Sequence, residues 1–378
     1  MPTGRATLDT LGVRTCPKCK REVAEDFAFC PYDAAPLAPT ASPPPPIVAH
    51  KPHDVPATIG RFRVDGLLGE GAMGRVFRAF DPDMERRVAI KVLDSAQART
   101  PQGAERFLRE LKALRALRHP NVIRVYDAGL RPDGAPFYVM EYLDGESLGT
   151  VFRRTPRLPL DLALQVAHDV ASGLNAVHAA GMIHRDVKPD NIYLVGPAGA
   201  PTSVKIIDFG LARVTGQSHL TAKGIIVGTV EYMAPEQTVG DPVGRRADVY
   251  ALGVIMYRML TGRLPFLGDT GTILAHQLVT QAVPPSAHNP EIPPAVERLV
   301  ASAMRKLPRN RPPSMQDFLE DLERAMGRRD GEVSTDSMGF DDVYEPQSAF
   351  AENIAKILTK KALSGVKAPL TLVEGEDE

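Results

Sequence analysis

The stretch His184-Arg-Asp186-Val-Lys188-Pro-Asp-Asn191, with Asp208-Phe-Gly210 beginning seventeen residues after Asn191, governs the reading of this chain. Each motif follows an apolar run, 181–183 and 204–207, which places both on loops at strand ends. Together they offer carboxylates, a carboxamide and a lysine. Phosphoryl transfer needs little covalent help. It needs a divalent cation between phosphates, a positive charge on the transferring group, and a carboxylate to position the hydroxyl nucleophile. These residue types supply all three.

Upstream, residues 61–68, 75–80 and 87–93 alternate apolar and polar side chains between Gly-rich or Asp/Pro turns, as strands do. Residues 104–117 carry Phe107, Leu108, Leu111, Leu114 and Leu117 at helical spacing, and two more strands are expected at 123–128 and 136–142. The Gly69-Glu-Gly71-Ala-Met-Gly74 pattern alone would also suit a dinucleotide site or a plain turn. A dinucleotide fingerprint must open a helix. Here a strand follows, so the loop is a hairpin whose glycines let backbone N–H groups approach phosphate oxygens. On the next strand, period two puts Ala89 and Lys91 on the face that lines a cleft. Glu110 lies mid-helix, either in a local ion pair or turned inward to orient Lys91. Downstream of residue 160 helices dominate. One carries Leu162, Val166, Val170, Leu174 and Val177 and ends at Gly181; another, 247–260, is apolar nearly all round and so is central. The expectation is an α+β arrangement, a strand-rich lobe and a helical lobe with a cleft between.

With these motifs in order, the chain resembles bacterial Ser/Thr protein kinases of the eukaryotic-like (Hanks) type over residues 62 to about 326. The resemblance implies the bilobal kinase fold, a small β-rich N-lobe with one helix and a larger helical C-lobe. It implies that Asp186 handles the substrate hydroxyl proton, Lys188 neutralises the transferred phosphoryl, and Asn191 and Asp208 hold Mg²⁺, with Lys91 on the ATP phosphates and paired to Glu110. Leu68, Gly69, Gly71, Gly74, Val76 and Ala89 would enclose the nucleotide from above. Met140 takes the gatekeeper position, and the Glu141 carbonyl and Leu143 amide the hinge. Tyr193 forms the floor, where Leu or Met is more usual. Asp248 resembles the Asp that braces the catalytic loop, and Arg311 the partner of Glu236. Lys188 and Gly228-Thr229 resemble the Ser/Thr class, with Thr229 near the reacting groups. Thr221 is the favoured regulatory phosphosite, with Arg185 as the cation that would meet its phosphate. A pseudokinase scaffold is the alternative, but every catalytic position keeps its residue; the long segment ending in Ala234-Pro-Glu236 disfavours a small-molecule kinase.

All three cysteines fall in the first 30 residues, an odd clustered set that reads better as metal ligation than as disulfides. Cys16-Pro-Lys-Cys19 and Cys30-Pro-Tyr-Asp33 resemble a degenerate zinc ribbon in which Asp33 stands at the fourth ligand position. The domain expectation is a ribbon-like module at 12–38, a linker at 39–61, the kinase domain at 62–326, and an acidic tail at 327–378. Eight prolines in residues 36–56 make the linker a semi-rigid spacer that isolates the module from the catalytic domain. The tail, with 11 acidic and 6 basic residues, is expected to be disordered, with a transient helix near 349–363 preferred over a docking one. The chain's 45 basic and 46 acidic residues give no general pull toward nucleic acid or anionic membranes. The apolar run 251–257 is far short of the roughly 20 residues that span a bilayer. With no secretory signal read at the N-terminus, a cytoplasmic protein is expected, with protein substrates and a docking partner for module or tail.

Overall fold

The computed structural model describes residues 13–24, 27–30, 32–37, 55–71, 74–93, 98, 100–209, 230–330, 343–348, 351–352, 354–356 and 359. In chain order, β1 (Val13–Thr15) and β2 (Glu22–Ala24) form an antiparallel hairpin. A six-stranded antiparallel sheet follows, ordered β3-β4-β5-β6-β8-β7. Its strands are β3 (Thr58–Ile59), β4 (Phe62–Gly71), β5 (Gly74–Asp81), β6 (Arg86–Val92), β7 (Val125–Leu130) and β8 (Pro136–Glu141). The sheet therefore starts at Thr58, inside the stretch assigned to the linker, because Thr58 and Ile59 pair with Arg63 and Phe62.

Alternation divides the sheet into two faces. Val88, Ile90 and Val92 point to an outer core with Phe62, Phe77 and Val139. Ala89, Tyr138 and Met140 point the other way, to a core shared with the helix α1 (Pro101–Ala116). Thr100 caps α1 by accepting the Gly103 N–H at 3.1 Å, and Pro101 opens it. Its buried stripe of Phe107, Leu111 and Leu114 faces the sheet, so the helix holds the inner face in place.

The helical lobe begins with β9 (Gly145–Ser147), α2 (Leu148–Arg154) and α3 (Leu160–Ala179). Next, β10 (Ile192–Val195) and β11 (Ser203–Ile206) form a small sheet with β9 that carries the loops bearing Asp186 and Asp208. The remaining helices are α4 (Pro235–Val239), α5 (Arg246–Thr261), α6 (Thr270–Val279), α7 (Pro294–Ala303) and α8 (Met315–Ala325). Every residue of α5 from Ala247 to Thr261 is buried, as its all-round apolarity implies, and α3, α7 and α8 pack around it. No helix among the described residues is long and apolar enough to cross a membrane.

Two expectations about the flanks need correction. The N-terminal module is not held apart: Ala28 N–H donates to the Arg153 carbonyl at 2.6 Å, and Tyr32 packs against the main core. The module's own core is five buried residues, with Phe27 and Tyr32 packed against them, and Tyr32 also packs against the helical lobe's core. Described residues of the tail also dock. Tyr344 is buried, its hydroxyl donates to Asp241 Oδ2 at 2.8 Å, and its N–H to the Leu278 carbonyl at 2.9 Å. Ala351 and Ile354 pack with Val239 and Leu278. Acidic composition hid this because the anchors are one aromatic and a few small apolar side chains.

Candidate active site

The catalytic-loop geometry rests on a carboxylate beneath it. Asp248, fully buried on α5, accepts from the His184 N–H at 2.9 Å, the Arg185 N–H at 2.8 Å and His178 Nε2 at 2.8 Å. Burial alone would raise its pKa, but the His178 bond and the surrounding donors outweigh it and hold the group below the ordinary range. Arg185 takes the left-handed backbone conformation (φ 63°), and its carbonyl accepts from Gln237 Nε2 at 3.0 Å. Such strain costs about 1–3 kcal/mol and persists where the surroundings fix both ends of the peptide.

His184 ties this loop to the next. Burial lowers its pKa, so the ring is neutral; Nε2–H donates to the Ile207 carbonyl at 3.2 Å and Nδ1 accepts the Asp186 N–H at 3.3 Å. The ring also lies 4.8 Å from that of Phe209. The Asn191 carbonyl accepts the Ile207 N–H at 2.9 Å, a second bridge between the loops.

On this frame Asp186 Oδ2 accepts from Lys188 Nζ at 2.9 Å and Asn191 Nδ2 at 3.1 Å. Asn191 Nδ2 also donates to the Asp186 carbonyl at 2.8 Å. Lys91 Nζ lies 2.7 Å from Asp208 Oδ2, and the Tyr138 hydroxyl donates to Asp208 Oδ1 at 2.9 Å. Burial pushes the Asp208 pKa up, but Lys91 and Tyr138 prevail and hold it below the ordinary range. Asp208 is also left-handed, at φ 54°. The structure thus groups Asp186 with Lys188 and Asn191, and Lys91 with Asp208. Glu110's side chain, Thr221, Thr229 and Gly210 lie outside the described residues. Tyr138 was not singled out from sequence, although period two puts it on the face of Met140, two residues on.

The nucleotide positions line the same cleft wall. Val76 pairs with Lys91 across β5 and β6, and Ala89 pairs with Met140 across β6 and β8. Leu68 is exposed at the lip. Gly69 and Gly71 have open space where a Cβ would stand, whereas a Cβ on Gly74, at φ 130°, would fall 1.9 Å from the Val92 carbonyl oxygen. The Glu141 carboxylate turns outward to the Arg124 N–H at 2.8 Å and Lys205 Nζ at 2.8 Å. Leu143 packs at the edge of the core. Tyr193 directs its hydroxyl to the Gly145 carbonyl at 2.8 Å, so the unusual residue braces the β9–β10 pair.

Asp208 and Asn191 bring a carboxylate and an amide oxygen to the site, the ligands a hard cation takes. The N-terminal cluster suits a softer one. One ligand atom each from Cys16, Cys19, Cys30 and Asp33 lies within 4.8 Å of the others, with Cys19 and Cys30 sulfurs 3.6 Å apart and Cys16 Sγ 3.6 Å from Asp33 Oδ2. Zn–S bonds of about 2.3 Å in a tetrahedron put sulfurs about 3.8 Å apart. The two knuckles repeat in the backbone. Lys20 N–H donates to the Cys16 carbonyl at 3.0 Å and Ala34 N–H to the Cys30 carbonyl at 2.9 Å, and both Lys20 (φ 62°) and Ala34 (φ 56°) are left-handed. Asp33 thus stands where Cys19 stands in the first knuckle, its Oδ1 accepting the Ala35 N–H at 2.9 Å.

A six-stranded lobe over a helical lobe, with Lys91, Asp186, Asn191 and Asp208 between them, is the bilobal protein kinase architecture. Residues 62–322 match the family model for the protein kinase domain, and the chain belongs to that family. It is 40% identical over 270 residues to the serine/threonine-protein kinase pkn3 of Myxococcus xanthus, a match covering 70% of this chain and 49% of that one. To PknB of Mycobacterium leprae it is 38% identical (70% of this chain, 43% of that) and to PknA of Mycobacterium tuberculosis 40% (66% and 57%), both named serine/threonine-protein kinases. The chain spans about half the length of these curated relatives. The crystal structure of the Mycobacterium tuberculosis PknI kinase domain superposes with a TM-score of 0.57 at 28% identity, covering 71% of this chain and 97% of that one.

Proposed function

We propose that this protein is a serine/threonine protein kinase that transfers the γ-phosphoryl of Mg·ATP to Ser and Thr hydroxyls of other proteins and of itself. One observation carries the reading. Asp186 has one oxygen held by Lys188 and Asn191, while its Oδ1 takes no protein donor among the described residues. That oxygen is free to accept a substrate hydroxyl proton as the oxygen attacks. Lys188 sits where its charge offsets that gathering on the transferred group, and Lys91 would meet the phosphates once they compete with Asp208 for it. Asn191 and Asp208 would hold Mg²⁺, which when bound bridges and neutralises phosphate oxygens. Ala89, Val76, Leu68 and Met140 would enclose the adenine, with the Glu141 carbonyl and Leu143 amide on its edge and Tyr193 beneath.

Glu110 as the orienting partner of Lys91, Thr229 beside the reacting groups, and Thr221 as the activating phosphosite belong to the same proposal. So do a zinc ion on Cys16, Cys19, Cys30 and Asp33, a docking partner for module or tail, and a cytoplasmic setting. So too do the divisions at residues 12–38, 39–61, 62–326 and 327–378, with the sheet's Thr58 edge and the docked tail as amendments. The test is phosphosite mass spectrometry of the purified chain with Mg·ATP. Asp186→Asn is expected to slow transfer by about 10²–10⁴-fold, and Asp208→Asn and Lys91→Met to abolish it. Near-normal autophosphorylation in Asp186→Asn would refute the role. Thr221→Ala is expected to lower the rate if phosphate is found there in the wild type.

A further inference from the structure

The N-terminal module rests on a particular part of the helical lobe. Phe27 and Tyr32 face Pro189 and Asp190, which directly follow the catalytic Lys188, and Glu231 and Tyr232, across a cleft of about 280 Å³. Ala34 reaches the end of α5, its Cβ 3.5 Å from where a Cβ on Gly262 would stand. Tyr232 joins two spaces: one side lines this cleft, the other lines the small cavity that holds Asp186 and Lys188. A polypeptide presenting a hydroxyl to Asp186 has a main chain running out on both sides of that residue. Tyr232, which lines both spaces, offers that main chain a path along the surface where the module sits.

We infer that residues 14–37 and the protein substrate compete for one polypeptide-docking surface, formed by α2, Pro189-Asp190, Glu231-Tyr232 and Leu264. The inference rests on the kinase reading and adds to it. A cleft remains between the two surfaces, unlike the well-filled cores of permanent interfaces, and among the described residues the backbone hydrogen bond from module to α2 runs from Ala28 to Arg153. The apolar groups that the module lays down, Phe27 and Tyr32, are the kind that anchor a peptide on a surface. The zinc-ligand side chains point into the module's own cluster, so a change at the contact need not disturb them.

The experiment uses the full chain. Ala34→Arg introduces a long charged side chain at the contact while keeping all four ligands, and Tyr32→Ala removes an anchor; zinc content is checked in both. Hydrogen exchange is followed in peptides covering 148–154, 189–195 and 230–234, and kinetics are measured with casein as the generic protein substrate. The expected result is faster exchange in all three segments in at least one variant that retains zinc. With it, the KM for casein falls about threefold, as when a face blocked two thirds of the time is freed, and kcat and the KM for ATP are unchanged. Unchanged exchange in both variants would show that the module does not cover this face. Faster exchange with an unchanged casein KM would show that the face is not the substrate's, and either result overturns the inference. Absence of transfer by wild type and variants alike, with the exchange response present, would overturn the kinase reading and the competition together while leaving the docked surface in place.

Discussion

Single residues at this site fall into those that act and those that hold shape, and substitution tells them apart. Gly74 holds shape: at φ 130° and with the Val92 carbonyl 1.9 Å from any Cβ, Gly74→Ala must distort the β5–β6 pairing. A loss of about 2–3 kcal/mol is expected, read as a lowered Tm. Gly71 has open space, so Gly71→Ala should leave stability within about 0.5 kcal/mol of wild type and raise the KM for ATP instead. Asp248 gives a pH prediction. Its folded pKa lies below the ordinary 3.8, so its stabilisation is complete above that value and is lost as pH falls through the lower folded one. Asp248→Asn should cost about 2–4 kcal/mol at pH 7, because an amide cannot accept from all three donors. The deficit against wild type should narrow in denaturant titrations carried below pH 4; a gap that stays constant would show that ionisation of Asp248 is not what stabilises the loop.

At the scale of elements, the lobe is locked by a pair from distant parts of the chain. Arg311 Nη1 and Nη2 each lie 2.8 Å from an oxygen of Glu236 at the start of α4, and the same guanidinium donates to the carbonyls of Arg305, Arg246 and Lys306. Both side chains are essentially inaccessible. Lysine has neither the fork nor enough donors for this site. Arg311→Lys should cost about 3–5 kcal/mol, measured by denaturant unfolding, with α4 losing hydrogen-exchange protection first. Elements were also where sequence reading was most and least complete. The strands of the N-lobe other than the two-residue β3, together with α1, α3 and α5, were legible because each has a long run of one period. The pair β9–β10 was not, since three or four residues give too little pattern. The tail contact through Tyr344 was hidden for a different reason: its partner, Asp241, is a buried acid whose role exists only once Tyr344, Gln347 and Ser348 converge on it.

For the whole molecule, the candidate active-site residues could be named from sequence because phosphoryl transfer demands fixed residue types at fixed spacing. The placement of the module was not, because a proline-rich spacer says how far a unit can reach and nothing about where it lands. The Cys16, Cys19, Cys30 and Asp33 cluster supplies the test at this scale. About one zinc per chain is expected by elemental analysis, and Cys16→Ser/Cys19→Ser should lose both the metal and the fold of residues 14–37, since so small a core cannot stand alone. A chain purified without metal yet with protected amides in β1 and β2 would count against the assignment.

The separation between the module and its resting place also sets an order of events at the ribosome. The module ends near Leu37, while the surface it covers is completed only with Leu264, more than 200 residues later. At synthesis rates of about 5–20 residues per second, the module waits roughly 10–45 s for that surface to emerge. During that interval Phe27 and Tyr32 stay uncovered on the nascent chain. The period of greatest risk for the module's apolar side chains is thus the time between translating Leu37 and reaching Leu264, and a slow stretch of message there would lengthen it.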